Sequence, residues 1–276
     1  MGSAPPGGLT GLHGTAFSAA ALRAWHTLAG EEPKIFRDDL ALALTGMSAA
    51  QAIALGERVP SASASTCVLR SRYTEDRLAQ ARLGLSQYVV LGAGLDSYGL
   101  RMGEALDDLA VFEVDDPPFQ QWKRERIAEL GLETPGQLHF VPCDFETTAI
   151  ADALARSGFD AAAPCFVSWL GVTQYLTRQA IAETLRWAGE RPAGSQIVLT
   201  FLESNAQAAQ LRTSMAKTGV AVLSDFATIE MTAMLQAAGF TRIEHLSPEQ
   251  AEARYFAGRS DGLMAPEIQR LVSATV

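Results

Sequence analysis

Gly92-Ala93-Gly94 follows directly on the apolar run Tyr88-Val89-Val90-Leu91, and of all stretches in the chain this one is best suited to hold a ligand. A glycine has no Cβ, so the main chain can take a positive φ and pass close beneath a bound molecule. The run before it reads as a buried strand entering a tight turn. About twenty residues after the glycines, the next apolar run (LAVFEVDD) ends in acids, where a ribose diol needs a hydrogen-bond acceptor. Glu113 and Asp115 alternate along it and point to opposite faces, so at most one is a direct ligand. Asp115, at the carboxyl end, is favoured, with Glu113 as the second candidate.

Two further groups belong to the same constellation. The run LHFVPC ends in Asp144-Phe145. An acid followed by a ring suits an adenine, the acid accepting from the exocyclic amine and the ring packing on the base. A helix N-cap explains Asp144 equally well. Upstream, Arg70 and Arg72 either lie on a solvated face or supply one guanidinium fork to a ligand carboxylate. In GAGLDS, Ser97 occupies the third-glycine position of G-x-G-x-x-G, which favours a nucleoside ligand without a pyrophosphate over a nicotinamide dinucleotide.

These groups must be positioned by the elements around them. Apolar spacing predicts helices over 15–28, LALALTGM and 48–55, a small polar loop over 60–65, and a helix capped by Thr74. From Gln87 onward strands (88–91, 109–114, 138–143, 165–169, 196–201, 240–246) alternate with helices (119–130, 178–188 capped by Thr177, 206–219, 227–238). That alternation predicts an α/β fold with a parallel sheet covered on both faces and a ligand at the strands' carboxyl ends. Residues 1–14 read as a disordered tail, 15–86 as an N-terminal helical cap and 87–276 as the core, together one compact unit.

With 276 residues, 48% hydrophobic and 19% charged, the chain has the composition of a globular enzyme. A net charge of -9 lacks the basic footprint of nucleic-acid binding. No apolar run approaches the ~20 residues that span a bilayer, and MGSAPPGG is not a signal peptide. Cys67, Cys143 and Cys165 lie far apart and read as small buried hydrophobes of a cytoplasmic protein. No metal motif is present, and no histidine stands in a triad-like setting.

Taken together, VVLGAGLDSYGLR, VFEVDDP with a lysine-bearing helix after it, VPCDF, SWLGVTQYLT and ARYFAGRSDGL resemble the leucine carboxyl methyltransferase family. The likeness runs from about Thr15 to Leu263. It implies a Rossmann-like class I methyltransferase fold and an O-methyltransferase using S-adenosylmethionine, with S-adenosylhomocysteine as product. The family includes bacterial members thought to act largely on metabolites. By resemblance Arg72 or Arg70 meets the methionine carboxylate, Gly92 and Gly94 pass under the methionine and ribose, Asp115 holds the ribose, and Asp144 and Phe145 frame the adenine. Many members carry a glutamate where this chain has Leu170; Asp96 is the acid available to compensate.

Methyl transfer from a sulfonium is an in-line displacement, so a carboxylate acceptor, already ionised at neutral pH, needs no base, whereas a phenol does. A small-molecule or peptide carboxylate is therefore the expected acceptor, with a hydroxyl, or cofactor binding without catalysis, as alternatives. His13 or His26 on the cap could serve as a base. Tyr175 is expected beside the methyl group, and Tyr73, Trp169, Phe17 and Trp25 are candidates for the acceptor pocket, each also readable as core.

Overall fold

A computed structural model describes residues 11–276; the expected tail over 1–10 lies outside the described residues. Before the sheet come four helices, α1 (Gly11–Ala29), α2 (Ala41–Thr45), α3 (Ala49–Arg58) and α4 (Ser61–Ala81). Then follow β1 (Gln87–Leu91), α5 (Tyr98–Met102), β2 (Ala110–Asp115), α6 (Pro117–Glu129), β3 (Leu138–Pro142), α7 (Ile150–Ala155) and β4 (Phe166–Trp169). The chain continues with α8 (Arg178–Gly189), β5 (Gln196–Leu202), α9 (Ala206–Ala216), α10 (Thr228–Ala238), β6 (Arg242–Leu246), α11 (Pro248–Ala251) and β7 (Gln269–Thr275).

The seven strands lie in the order β3-β2-β1-β4-β5-β7-β6. β1 to β5 are parallel, with Val89 beside Phe112 on one side and Val167 on the other; β7 runs antiparallel between β5 and β6. The order reverses between β1 and β4, which is where open parallel sheets bind ligands. Every residue of β1 is buried, as a two-faced strand requires.

Alternate residues feed two cores. Val89, Leu91, Val114 and Val167 pack on α8 and α10 through Ile181, Leu185, Met231 and Leu235. Tyr88, Val90, Val111 and Phe166 face α4 through Val68, Leu69, Tyr73 and Leu78. α4 thus packs as a layer directly against the sheet. α1 and α6 meet in a third cluster around Phe17, Leu95, Phe119 and Trp122.

Four expectations are corrected. Residues 11–14 are helical, the first turn of α1. Residues 61–65 open α4, because alanine and serine carry a helix well enough and Pro60 stands just before the first turn, where a missing N–H costs nothing. Thr74 lies buried within α4 and caps nothing, whereas Thr177 does cap α8, accepting from the Ala180 N–H at 3.3 Å. β7 was not expected: its QRLVSAT has no polar–apolar alternation, since Leu271 to Ala274 are all buried.

Candidate active site

A cavity of about 1540 Å³ opens over the carboxyl ends of β1 to β5. Its floor is the turn after β1. Gly92 (φ 66°) and Gly94 (φ 50°) take left-handed conformations, and a Cβ on Gly92 would lie 2.3 Å from a Val172 methyl carbon, so no larger residue fits there. The Gly92 and Ala93 N–H groups donate to the Val114 carbonyl at 2.8 and 3.2 Å. Gly94 N–H donates to the Asp115 carboxylate, whose other oxygen accepts from Asp116 N–H at 2.7 Å. Burial raises the Asp115 pKa, and those two backbone donors pull it back. Each oxygen keeps a lone pair for a further donor.

The next two carbonyls of the turn are held by cations from opposite sides. Arg23 of α1 donates to the Leu95 carbonyl at 2.7 Å and pairs with buried Asp38 at 2.8 Å. Lys123 of α6 donates to the Asp96 carbonyl at 2.7 Å and to Glu113 at 2.6 Å, with both side chains 1% exposed. Burial pushes the Glu113 carboxyl up to about 7 against the pull of Lys123. Glu113 is therefore corrected from ligand contact to loop support: it is buried against Lys123 and does not line the cavity.

Asp96, Asp115, Asp144 and Phe145 all line the cavity. Asp144 also behaves as a cap of its own turn, accepting from Glu146 N–H at 2.9 Å and the Thr147 hydroxyl at 3.0 Å. Of the two arginines, Arg70 lines the cavity and Arg72 does not: Arg72 pairs with Asp76 at 2.8 Å and donates to the Ile35 carbonyl at 3.2 Å. Two residues apart on a helix they point to different faces. Arg70 lies 3.4 Å from the Gln269 amide oxygen, and no carboxylate pairs with it among the described residues. Its guanidinium rests on Gly171 (φ 75°), where a Cβ would lie 2.2 Å from Nη1.

The expected acceptor residues divide. Tyr175 lines the cavity. Trp169 is fully buried in the core behind β4, and Tyr73 is buried with its hydroxyl 3.2 Å from Ser273 Oγ. Phe17 packs on the Phe119 and Trp122 rings, and Trp25 fills the space over Gly56 of α3. All four face neighbouring elements instead of the cavity. His13 does line it, stacked on Phe119 with Nε2 3.4 Å from Asp116. His26 is buried, accepts from Ile35 N–H at 3.0 Å and is pushed down to about 4, chiefly by burial and then by Arg259, so it is a neutral structural group.

Sequence reading missed the wall opposite the glycine turn. Leu202, Leu211, Met215, Val220, Val222 and Ile268 form it, from the end of β5, α9 and the segments beside them. The available signal was apolar residues on a helix with little else to bury them: Ala208 is the one buried residue of α9.

Sheet order, ligand cleft at the switch point and helical layers define a Rossmann-like class I methyltransferase fold. Two solved structures share it over most of their length. A DUF574 family protein from Streptomyces avermitilis has a TM-score of 0.59 at 14% identity, covering 93% of this chain and 96% of that one. A protein from Thermobifida fusca, provisionally called a methyltransferase, has a TM-score of 0.57 at 16% identity, covering 92% and 93%. The leucine carboxyl methyltransferase family model matches residues 16–189. A Bacillus subtilis (strain 168) protein, provisionally named an S-adenosyl-L-methionine-dependent methyltransferase, is 35% identical over 219 residues, 76% of this chain and 72% of that one. A similarly named Mycobacterium tuberculosis (strain H37Rv) protein is 39% identical over 142 residues, 50% of this chain and 45% of that one. The chain belongs to the leucine carboxyl methyltransferase family and is an S-adenosylmethionine-dependent methyltransferase.

The cavity fits that cofactor on its own terms. Among the described residues six carboxylates line it (Asp96, Asp115, Asp116, Asp144, Glu146 and Glu267) against Arg23, Arg70 and Lys217, and Arg23 is neutralised by Asp38. Such a lining favours a sulfonium cation and opposes a pyrophosphate. A volume above the ~300–1,000 Å³ of a single-ligand site leaves room for an acceptor.

Proposed function

We propose that the chain methylates a carboxylate oxygen of a small-molecule or peptide acceptor, forming a methyl ester. The observation that carries this reading is the chemistry of the wall opposite the glycine turn. It is apolar, and its titratable groups among the described residues are Tyr175, Lys217 and Glu267. None is suited to take a proton from a phenol of pKa near 10, and Glu267 is exposed to water. An acceptor that arrives ionised needs no such group. Lys217 offers its carboxylate a long-range attraction.

In this reading Arg70 pairs with the cofactor's carboxylate, the Gly92–Gly94 turn passes beneath its methionine and ribose, Asp115 accepts from the ribose hydroxyls, and Asp144 and Phe145 frame the adenine. The bound cofactor supplies an electrophilic methyl on a sulfonium and leaves as S-adenosylhomocysteine. Tyr175, whose hydroxyl makes no hydrogen bond among the described residues, donates to the acceptor carboxylate and orients one oxygen behind the methyl carbon. Leu211, Met215 and Val222 exclude water from the displacement.

One observation favours a second reading. His13, beside Asp116 on the β2 side of the cavity, forms an imidazole–carboxylate pair of the kind that serves as a general base. A hydroxyl acceptor would use it. Labelled-methyl transfer assays on matched panels of carboxylic acids and phenols separate the two. The expected result is base-labile label on acids only, with His13→Gln retaining at least half the activity. Transfer confined to phenols, and lost by more than about tenfold in His13→Gln, overturns the carboxylate reading.

A further inference from the structure

α9 is anchored at its base and open along its length. The Phe226 N–H donates to the Leu202 carbonyl at 2.9 Å, and the Leu223 N–H donates to the Gln174 carbonyl at 2.8 Å. The chain therefore leaves the sheet at the end of β5, runs out along α9 and returns to the loop that carries Tyr175. Leu202 and Val222 stand at that base. Met215 and Val220 stand at the far end, where the Val220 N–H donates to the Met215 carbonyl at 3.1 Å, and exposed Lys217 and Thr218 form the rim. Leu211 and Met215 lie one turn apart on the cavity face, each half-buried, while Ala208 is the one residue that α9 buries. An apolar face left open to a cavity is stabilised when an apolar ligand covers it.

The wall offers such a ligand side chains and little else. The Val222 carbonyl accepts from Arg212 at 3.2 Å, and the Ile268 carbonyl accepts from the Glu203 N–H at 2.8 Å. The Met264 and Ala265 N–H groups donate to Ser65 Oγ at 3.2 Å and to the Glu252 carboxylate at 2.9 Å. A peptide laid here would bring an N–H and a carbonyl with each residue and would find these groups already engaged. A flat aromatic acid would meet one ring, Tyr175, among the described residues of this wall. The remainder is Leu, Met, Val and Ile, which fit a flexible chain better than a ring face.

We propose that the acceptor is an aliphatic carboxylic acid, its carboxylate beside Tyr175 and its chain running outward along α9 over Leu211 and Met215. This rests on the carboxylate reading above and narrows it. One carboxylate oxygen bonds to the methyl carbon as the methyl–sulfur bond breaks and its electron pair stays on sulfur, so anion and sulfonium become a neutral ester and a thioether with no proton moved. Leu211 to Lys217 rises about 9 Å along the helix, and an extended chain advances about 3.5 Å in three bonds, so about eight carbons bring the chain's end to the rim. Carbons beyond that emerge into water and gain nothing from the wall.

Straight-chain acids from butanoic to dodecanoic test this at neutral pH, by labelled-methyl transfer and, independently of turnover, by calorimetry on protein saturated with S-adenosylhomocysteine. Both kcat/KM and affinity are expected to rise about threefold per methylene up to about eight carbons and then to level off. Leu211→Ala combined with Met215→Ala is expected to lower the preference for octanoic over butanoic acid about tenfold. Met215→Trp, which fills the far end of the wall, is expected to move the plateau to a shorter acid. Binding of S-adenosylhomocysteine by each variant shows that it is folded. A flat dependence on chain length overturns the proposal, as does an unchanged octanoic-to-butanoic preference in the double variant. Better turnover of N-acetylated peptides than of octanoic acid also overturns it and makes a peptide C-terminus the acceptor. Transfer confined to phenols, with no acid bound, would instead overturn the carboxylate reading and this inference with it.

Discussion

Arg70 and Arg72 differ by two positions and by everything that matters for a ligand. Arg70 looks into the cavity and rests on Gly171, while Arg72 is held outside by Asp76. Arg70→Met should therefore lower S-adenosylhomocysteine affinity by more than tenfold, and Arg72→Met should change it by less than twofold. Comparable losses in the two variants, measured by calorimetry, would contradict this assignment. The sequence names the pair but not the member, because the roughly 200° between them resolves only when the face of α4 that covers the sheet is known. Asp115 is legible for the opposite reason: position at a strand's carboxyl end fixes both its direction and its neighbours. Phe17, Trp25, Tyr73 and Trp169 are large rings, and a ring buried against a helix has the same local pattern as one facing a cavity.

At the scale of elements, α9 differs from the other long helices. It buries Ala208 alone, yet Gln207, Leu211 and Met215 line the cavity. Its Asn205 cap accepts from Ala208 N–H at 2.9 Å, and Arg212 ties it to Asp225 and the Val222 carbonyl, so its ends are specified while its faces are loosely packed. Amide exchange should be faster in α9 than in α8, which buries seven residues, and should slow in α9 when cofactor product and acceptor are both present. Equal protection of α8 and α9 in the free protein would show that α9 is packed as firmly as α8. This wall escaped sequence reading because its apolar residues make no continuous stripe. The parallel core was readable since its strands are continuous apolar runs, whereas β7, reached after a long irregular segment, gives no such local signal.

Across the whole molecule, buried acids set how stability responds to pH. Glu113 and Glu75 are both pushed up to about 7 from the ordinary 4.5 of a glutamate, by burial first and against the opposing pull of Lys123 and Arg101. Between pH 4.5 and 7 the folded chain keeps protons that the unfolded chain has released, so these groups make stability fall as pH rises through that window. Asp38, lowered from 3.8 with Arg23 and Arg101 opposing its burial, acts in the other direction and loses its contribution only as pH falls below that value. Glu75→Gln should flatten the decline of Tm between pH 5 and 7.5, relative to the unaltered chain, as read by thermal melts. An unchanged slope would show that Glu75 does not hold a proton in the folded state.

The grip of Arg23 and Lys123 on successive carbonyls of the glycine turn also bears on how fast the cofactor is captured. With Leu95 and Asp96 fastened from α1 and α6, and the preceding N–H groups engaged by Val114 and Asp115, the turn has its final shape before any ligand arrives. Ordering of this segment belongs to folding, and association need not wait for it. Substitutions on the far side of α1 or α6 should then be felt as slower, more entropically opposed cofactor binding, although they touch neither cofactor nor acceptor.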